Sequence, residues 1–230
     1  MTFQWPPLES NPEIFEQYMV GLGLSEQWGF SELYGFEEDL LGFVPQPVLA
    51  VIVNFERLGD KKKEEADASS AASATSGVVN YYMKQTGALD NACGVIACLH
   101  AIYNNLDSIT LDAGKPLATY LDKVQDQTPD QRATTLEGYT EFQEQHKAFA
   151  SQGQSQLATN QDDVKHHYVA FVVNGQGQLI ELDGTKSGPV VIAEQCADVL
   201  RGTIAEIQQR LEKGEISESL SVMTLNAKDA

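Results

Sequence analysis

Basic residues are scarce in this chain. Fifteen Lys and Arg stand against 33 Asp and Glu among 230 residues, for a formal charge of −18. A surface of that sign repels phosphate backbones and anionic lipid, so neither nucleic acid nor membrane is expected as a partner. A basic protein or peptide suits it better. Cysteine is scarce too: three, an odd number, makes no disulfide framework and fits a reducing compartment. No run approaches the roughly 20 apolar residues that span a bilayer. The opening stretch from Met1 to Pro7 lacks the basic flank and apolar run of a signal peptide. The expectation is a cytoplasmic or nuclear protein. Cys93 and Cys98 lack zinc-ligand spacing, no His/Cys cluster accompanies them, and no glycine-rich loop could cradle phosphate. Neither a metal nor a cofactor is expected.

Hydrophobic residues at 42% and charged residues at 21% describe an ordinary globular chain. Its length suits one well-buried domain over residues 1–230, with no internal repeat. Oligomeric state leaves no trace in the sequence, and a monomer is the expectation.

Asn11-Pro12-Glu13 supplies an N-cap, a first-turn proline and an early acid for a helix that Gly21 or Gly23 can end. A short helix is expected from Phe36 to Leu41. Pro47 to Phe55 is β-branched and apolar almost throughout, the pattern of a strand buried on both faces. Lys61 to Gly77 is a charge run followed by small polar residues, read as a loop within one domain. Val78 to Met83 reads as a strand and Asn91 to Asn105 as a central, largely buried helix with Asn91 as its cap. Thr128-Pro129-Asp130-Gln131 is a capping box that opens a long helix toward Lys147. Ser151 to Asp163 is polar and reads as a second loop. His167–Val173 and Gln178–Asp183 flank Asn174-Gly175-Gln176-Gly177 as a β-hairpin. A helix from Glu194 to Glu212 and a strand from Leu220 to Leu225 follow. Helices mixed with strands and a hairpin give an α+β class.

Cys93 falls at the start of the central helix, where the helix dipole and unpaired N–H groups favour thiolate. Gly94 leaves room for a carbonyl to approach. Free cysteines are more often small buried hydrophobes, and Cys98 and Cys196, in apolar helical stretches, fit that bland reading. A nucleophilic thiol needs a base. His100 lies about 10 Å along the same helix, beyond reach, and reads as a packed polar residue. His146, near the end of a polar helix, is expected to face water. His166 and His167 leave their strand on opposite faces. Hairpin register then decides the third group. A three-residue loop pairs Val173 with Gly177 and places Asp183 across from His167 on the same face. A two-residue turn pairs Val173 with Gln176 and turns Asp183 away. Asp183 also reads as a strand-ending turn aspartate.

These residues carry a resemblance. Tyr82-Met83-Lys84-Gln85-Thr86, Asn91-Ala92-Cys93-Gly94 and Leu99-His100-Ala101-Ile102 are similar to the active-site signature of the ubiquitin C-terminal hydrolases. The stretch from Trp5 to Pro12 resembles the family's opening, and Pro45 to Val51 its first core strand. His167-Tyr168-Val169-Ala170-Phe171-Val172 and Glu181-Leu182-Asp183-Gly184 resemble its histidine and aspartate motifs. Several motifs in the right order make the likeness specific over nearly the whole chain.

The resemblance implies a papain-like cysteine peptidase fold, with helices around a central antiparallel sheet and a knotted backbone. It implies Cys93 as nucleophile, His167 as base, Asp183 as its orienter and Gln85 as a donor to the oxyanion. The Gln85–Cys93 interval is longer than the family's usual spacing by two residues, around Gly87-Ala88-Leu89-Asp90, and the His167–Asp183 interval by one. The implied activity is hydrolysis after the C-terminal glycine of ubiquitin, or of a related modifier, releasing small or unfolded adducts through a thioester. In that family the segment matching Ser151 to Asp163 crosses over the site and limits leaving groups. Two other classes share these features: a Cys-His-Asp acyltransferase, and a non-catalytic ubiquitin-binding module.

Overall fold

The computed structural model describes residues 3–58, 77–150 and 166–228. Of the two polar stretches read as loops, Ser151 to Asp163 and all of Lys61 to Gly77 except Gly77 itself lie outside them. Helix α1 (Pro12–Leu22) starts at Asn11, whose side chain accepts the Glu13 N–H, and stops at Gly23 in a left-handed conformation. Strand β1 (Trp28–Glu32) and helix α2 (Glu38–Leu41) lead to β2 (Val48–Arg57). A single 3-10 turn (Gly87–Leu89) precedes α3 (Cys93–Tyr103), and α4 (Pro116–Val124), α5 (Pro129–Glu137) and α6 (Thr140–Ala150) follow. Strands β3 (His166–Val173), β4 (Leu179–Leu182) and β5 (Val190–Ala193), helix α7 (Val199–Glu212) and strand β6 (Ile216–Ala227) complete the order.

The six strands form one antiparallel sheet in the order β1-β6-β2-β3-β4-β5. Strands β2 and β3 are central, and their alternating side chains feed two cores. Ala50, Ile52, Tyr168, Ala170 and Val172 face a large core with α1 and α3 to α6. Val51, Val53, Phe55, Val169 and Phe171 face a smaller one beneath α7. That division explains why β2 is apolar at consecutive positions. Every residue of α3 is buried. A helix apolar all round must sit inside, and full burial of its Ile96, Leu99 and Ile102 contributes about 1.5–3 kcal/mol each.

Several local expectations change in three dimensions. Val78 to Met83 joins no strand. Its backbone groups are met by helix side chains instead: Asn104 Oδ1 accepts the Tyr81 N–H at 2.9 Å, Asn104 Nδ2 donates to Tyr81 O at 2.7 Å, and His100 Nε2 accepts the Met83 N–H at 3.1 Å. The capping box at Thr128 is present, but Gly138 ends α5 and a second helix begins at Thr140. Helix α7 begins at Val199 because Asp198 accepts from the Leu200 and Arg201 N–H groups, which leaves Cys196 in a loop. Strand β1 lacks a strong local signature, whereas α4, with Pro116 in its first turn and Leu117, Tyr120 and Val124 at helical spacing, and β5, with Val190, Val191 and Ile192, carry signals that went unread.

Candidate active site

Cys93 opens α3 and is 6% exposed. The cap position is Ala92, which offers no side-chain hydrogen bond, so Asn91 does not cap the helix. The first-turn N–H groups therefore keep their positive end toward the thiol. Gly94 serves packing rather than access: a Cβ there would lie 3.1 Å from Phe15 Cζ and 3.6 Å from Tyr168 Cδ2. Burial raises the Cys93 thiol, but hydrogen bonding to His167, the charge of that imidazole and backbone bonds with Tyr168 and Gly94 outweigh it. The thiol is held below its ordinary value.

His167 stands on β3 opposite Phe55. Its Nε2 lies 2.7 Å from Asp183 Oδ1, which leaves Nδ1 for Cys93. Burial lowers the imidazole, yet the Asp183 charge and hydrogen bond, with those of Cys93, raise it to about 9. Each partner favours the charged form of the other. His166 is exposed on the other face, 2.9 Å from Ser219 Oγ.

The hairpin adopts neither register weighed from the sequence. Val173 pairs with Leu179, and Asn174 N–H donates to Gln178 O around a turn with Gly177 at φ +77°. The connection is two residues longer than the three-residue loop, an even change, so Asp183 keeps the face of His167. Asp183 is fully buried, and its Oδ1 also accepts the Thr185 N–H at 3.0 Å and the Thr185 hydroxyl at 2.8 Å.

Gln85 enters from the segment before the 3-10 turn. Its N–H donates to Gly184 O at 2.8 Å. This approach requires the glycine, because a Cβ at Gly184 would lie 2.9 Å from Gln85 Cβ. The Gln85 side-chain amide donates to Asp90 O at 2.6 Å, in the lengthened interval, and its Oε1 is buried without a hydrogen-bond partner.

The other thiols and imidazoles lie elsewhere. Cys98 is fully buried on the same helix, where burial raises its thiol. His100 is fully buried, stacked on Tyr82 with ring centroids 5.1 Å apart, and lowered to about 4 by burial. His146 faces no water: Phe3, Trp5 and Tyr18 enclose it, and its Nε2 lies 2.6 Å from Pro6 O. The N-terminal segment covers it, a contact that no local pattern around His146 could reveal. Among the described residues, no group of His, Cys, Asp and Glu is arranged to hold a metal ion. None of their helices is long and apolar enough to cross a membrane.

Two features beside the site went unread in the sequence. Glu181, two residues before Asp183 on β4, is buried and held down to about 2: burial raises it, but the Arg210 and Lys186 charges prevail. Arg210 donates to both its oxygens at 2.9 and 3.0 Å, and Lys186 Nζ lies at 2.6 Å. The Tyr82 hydroxyl reaches the turn after β4. An acid in a buried strand was the available signal for the first; the second stands at the head of the Tyr82-Met83-Lys84-Gln85-Thr86 motif, where no role was read for it.

The family model described as ubiquitin carboxyl-terminal hydrolase, family 1, matches residues 5–212. A ubiquitin carboxyl-terminal hydrolase of Aplysia californica is 35% identical over 215 residues, covering 90% of this chain and 94% of its own. One from Drosophila melanogaster is 37% identical over 189 residues, 81% of each. Isozyme L1 of Equus caballus is 32% identical over 222 residues, covering 93% and 95%. The fold matches the crystal structure of the Trichinella spiralis UCH37 catalytic domain bound to ubiquitin vinyl methyl ester, with a TM-score of 0.74 at 22% identity over 98% of this chain and 96% of that one. Those solved coordinates share the helices and antiparallel sheet expected of a papain-like α+β fold. With a family match spanning nearly the whole length and relatives 32% to 37% identical along most of the chain, this chain belongs to the ubiquitin carboxyl-terminal hydrolase family.

Proposed function

We propose that the chain is a thiol hydrolase that cleaves after the C-terminal glycine of ubiquitin, or a related modifier, and releases small or unfolded adducts. The observation that carries the reading is the placement of Cys93 at the start of α3 beside His167, whose Nε2 lies 2.7 Å from Asp183 Oδ1. The Cys93 thiolate attacks the glycine carbonyl, and the electron pair of the C=O bond moves onto oxygen. On collapse, the C–N bond breaks and His167 gives its proton to the leaving amine. The neutral imidazole then takes a proton from water, which attacks the thioester and returns Cys93 as thiolate. Asp183 holds the ring and stabilises its charged form.

The oxyanion is assigned to the N–H groups at the start of α3 and to Gln85. One Gln85 amide proton is engaged by Asp90 O, and an amide carries two. Asp90 then fixes which end of the amide is presented, leaving the second N–H for the oxyanion. The acidic surface suits a basic partner by electrostatic complementarity, and a relative of the same fold is bound to ubiquitin vinyl methyl ester. Three free cysteines support a reducing, cytoplasmic or nuclear setting. One catalytic domain over 1–230 is supported by the single sheet, in which β1 and β6 pair strands from opposite ends of the chain.

The test is incubation with ubiquitin vinyl methyl ester and mapping of the modified residue by mass spectrometry. One adduct at Cys93, absent from Cys93→Ala, is expected. No adduct, or an adduct on Cys98 or Cys196, overturns the reading.

A further inference from the structure

Tyr82 lies outside the trio of Cys93, His167 and Asp183, yet it grips the turn that carries the aspartate. Its hydroxyl lies 2.7 Å from both Asp183 O and Lys186 O. Those carbonyls mark the two ends of a turn closed by the Lys186 N–H to Asp183 O bond at 3.0 Å. The phenol has one proton, which the two carbonyls share, so a single donor serves both ends of the turn. Its neighbours reinforce the grip: Lys84 Nζ donates to Lys186 O at 2.7 Å, and Gln85 N–H to Gly184 O at 2.8 Å.

The phenol is itself held. The ring is 5% exposed and stacks on His100 at 5.1 Å with an interplanar angle of 9°. Arg132 Nη1 donates to Tyr82 O at 2.9 Å, and His100 accepts the next N–H along the chain. Burial, followed by the charges of Asp183, Glu181 and Asp130, raises the phenol well above its ordinary value, so it remains a neutral donor. A fixed donor fixes its acceptors. The Asp183 carbonyl sets the backbone from which the carboxylate projects, and Thr185, inside the same turn, bonds the oxygen that meets His167. Movement of the turn would carry the carboxylate off the imidazole.

We propose that Tyr82 is a positioning residue of this site, its hydroxyl holding the Asp183–Lys186 turn so that the carboxylate stays aligned on His167. The proposal rests on the reading of Cys93, His167 and Asp183 as a working unit, but not on the identity of the substrate. Other charged or titratable groups bear on the same pair: Cys93 and His100 from α3 and Glu181 from β4, the last paired in turn with Lys186. All are retained in the variants below.

Tyr82→Phe removes one oxygen and keeps the stacked ring. Two readouts are taken beside the unaltered protein: the pH dependence of Cys93 alkylation by iodoacetamide, followed by peptide mapping, and kcat and KM on a fluorogenic ubiquitin amide. A less firmly held Asp183 stabilises the imidazolium less, and the imidazolium in turn stabilises the thiolate less. The alkylation curve should therefore move to higher pH, and kcat should fall by about fivefold with KM unchanged within about twofold. Lys84→Met removes the second donor to Lys186 O and should move the curve the same way by less. An unaltered curve and kcat in Tyr82→Phe overturn the proposal even if thermal stability drops, since the hydroxyl would then be only structural. Should Tyr82→Phe not fold, the alkylation curve of Lys84→Met decides in the same manner. The alkylation arm needs no ubiquitin: a curve that moves in a protein inert toward the ubiquitin amide upholds the positioning role while defeating the ubiquitin reading.

Discussion

Asp183 is the first residue past the β3–β4 ladder, yet its Oδ1 lies 2.7 Å from His167 Nε2, three residues before the last paired position on the facing strand. Register sets the face of such a residue, but no cross-strand pair fixes its reach. Thr185 and the turn to Lys186 hold it, and they bring the carboxylate back along the hairpin to the imidazole.

His167 and His166 should separate cleanly under substitution. His167→Ala is expected to reduce kcat/KM by several orders of magnitude, whereas His166→Ala, whose ring meets only Ser219 on the exposed face, should stay within about twofold. Steady-state kinetics on a ubiquitin amide decides, and comparable losses at both positions would defeat the assignment.

Gln85→Ala should lower kcat about a hundredfold with KM nearly constant, because a donor to the oxyanion acts in the transition state alone. An unchanged kcat would show that the bond to Asp90 O keeps the amide away from the chemistry.

The Cys93–His167 pair sets a pH window. The Cys93 thiol is held below its ordinary value, so thiolate persists where a free cysteine would be protonated, and activity falls only on further acidification. His167 is held up to about 9, so its proton for the leaving amine is lost as pH rises through that value. The kcat/KM profile should therefore be broad, with an alkaline limb near 9 that belongs to the pair as a unit. An alkaline limb near 6.5, the ordinary histidine value, would mean that Asp183 and Cys93 do not hold the imidazolium.

Glu181→Gln should destabilise the protein. Removing one partner of a buried ion pair costs about 3–5 kcal/mol, here because Arg210 and Lys186 lose their counter-charge. In a chain of this size the thermal midpoint should fall by roughly 10 °C. The native carboxylate is depressed to about 2, so its contribution is present above the ordinary carboxylate range and is lost as pH falls toward 2. Calorimetry at neutral pH is the measurement, and a midpoint within a degree of the unaltered protein would refute the account.

Much of this architecture was legible in the residues themselves, wherever the deciding interaction is local. Asn11 and Gly23 bound α1, Thr128 and Gln131 cap α5, and the unbroken apolar run of β2 declares two buried faces. Each signal acts within about one helical turn or one strand, so no distant partner is needed to read it. The chemical types and order of Cys93, His167, Asp183 and Gln85 were likewise open to inspection. Tertiary structure decided where each of them points. Val78 to Met83 has strand-forming side chains, but Asn104 and His100 satisfy its backbone before any strand can. His146 has a polar helical context, but Pro6 and Trp5 arrive from the other end of the chain and bury it. The hairpin register, the amide of Gln85 and the phenol of Tyr82 also depend on groups that meet only after folding. Caps and periodicity are written in neighbouring residues, whereas a hydrogen bond across a hundred residues depends on where the packed cores bring its two ends.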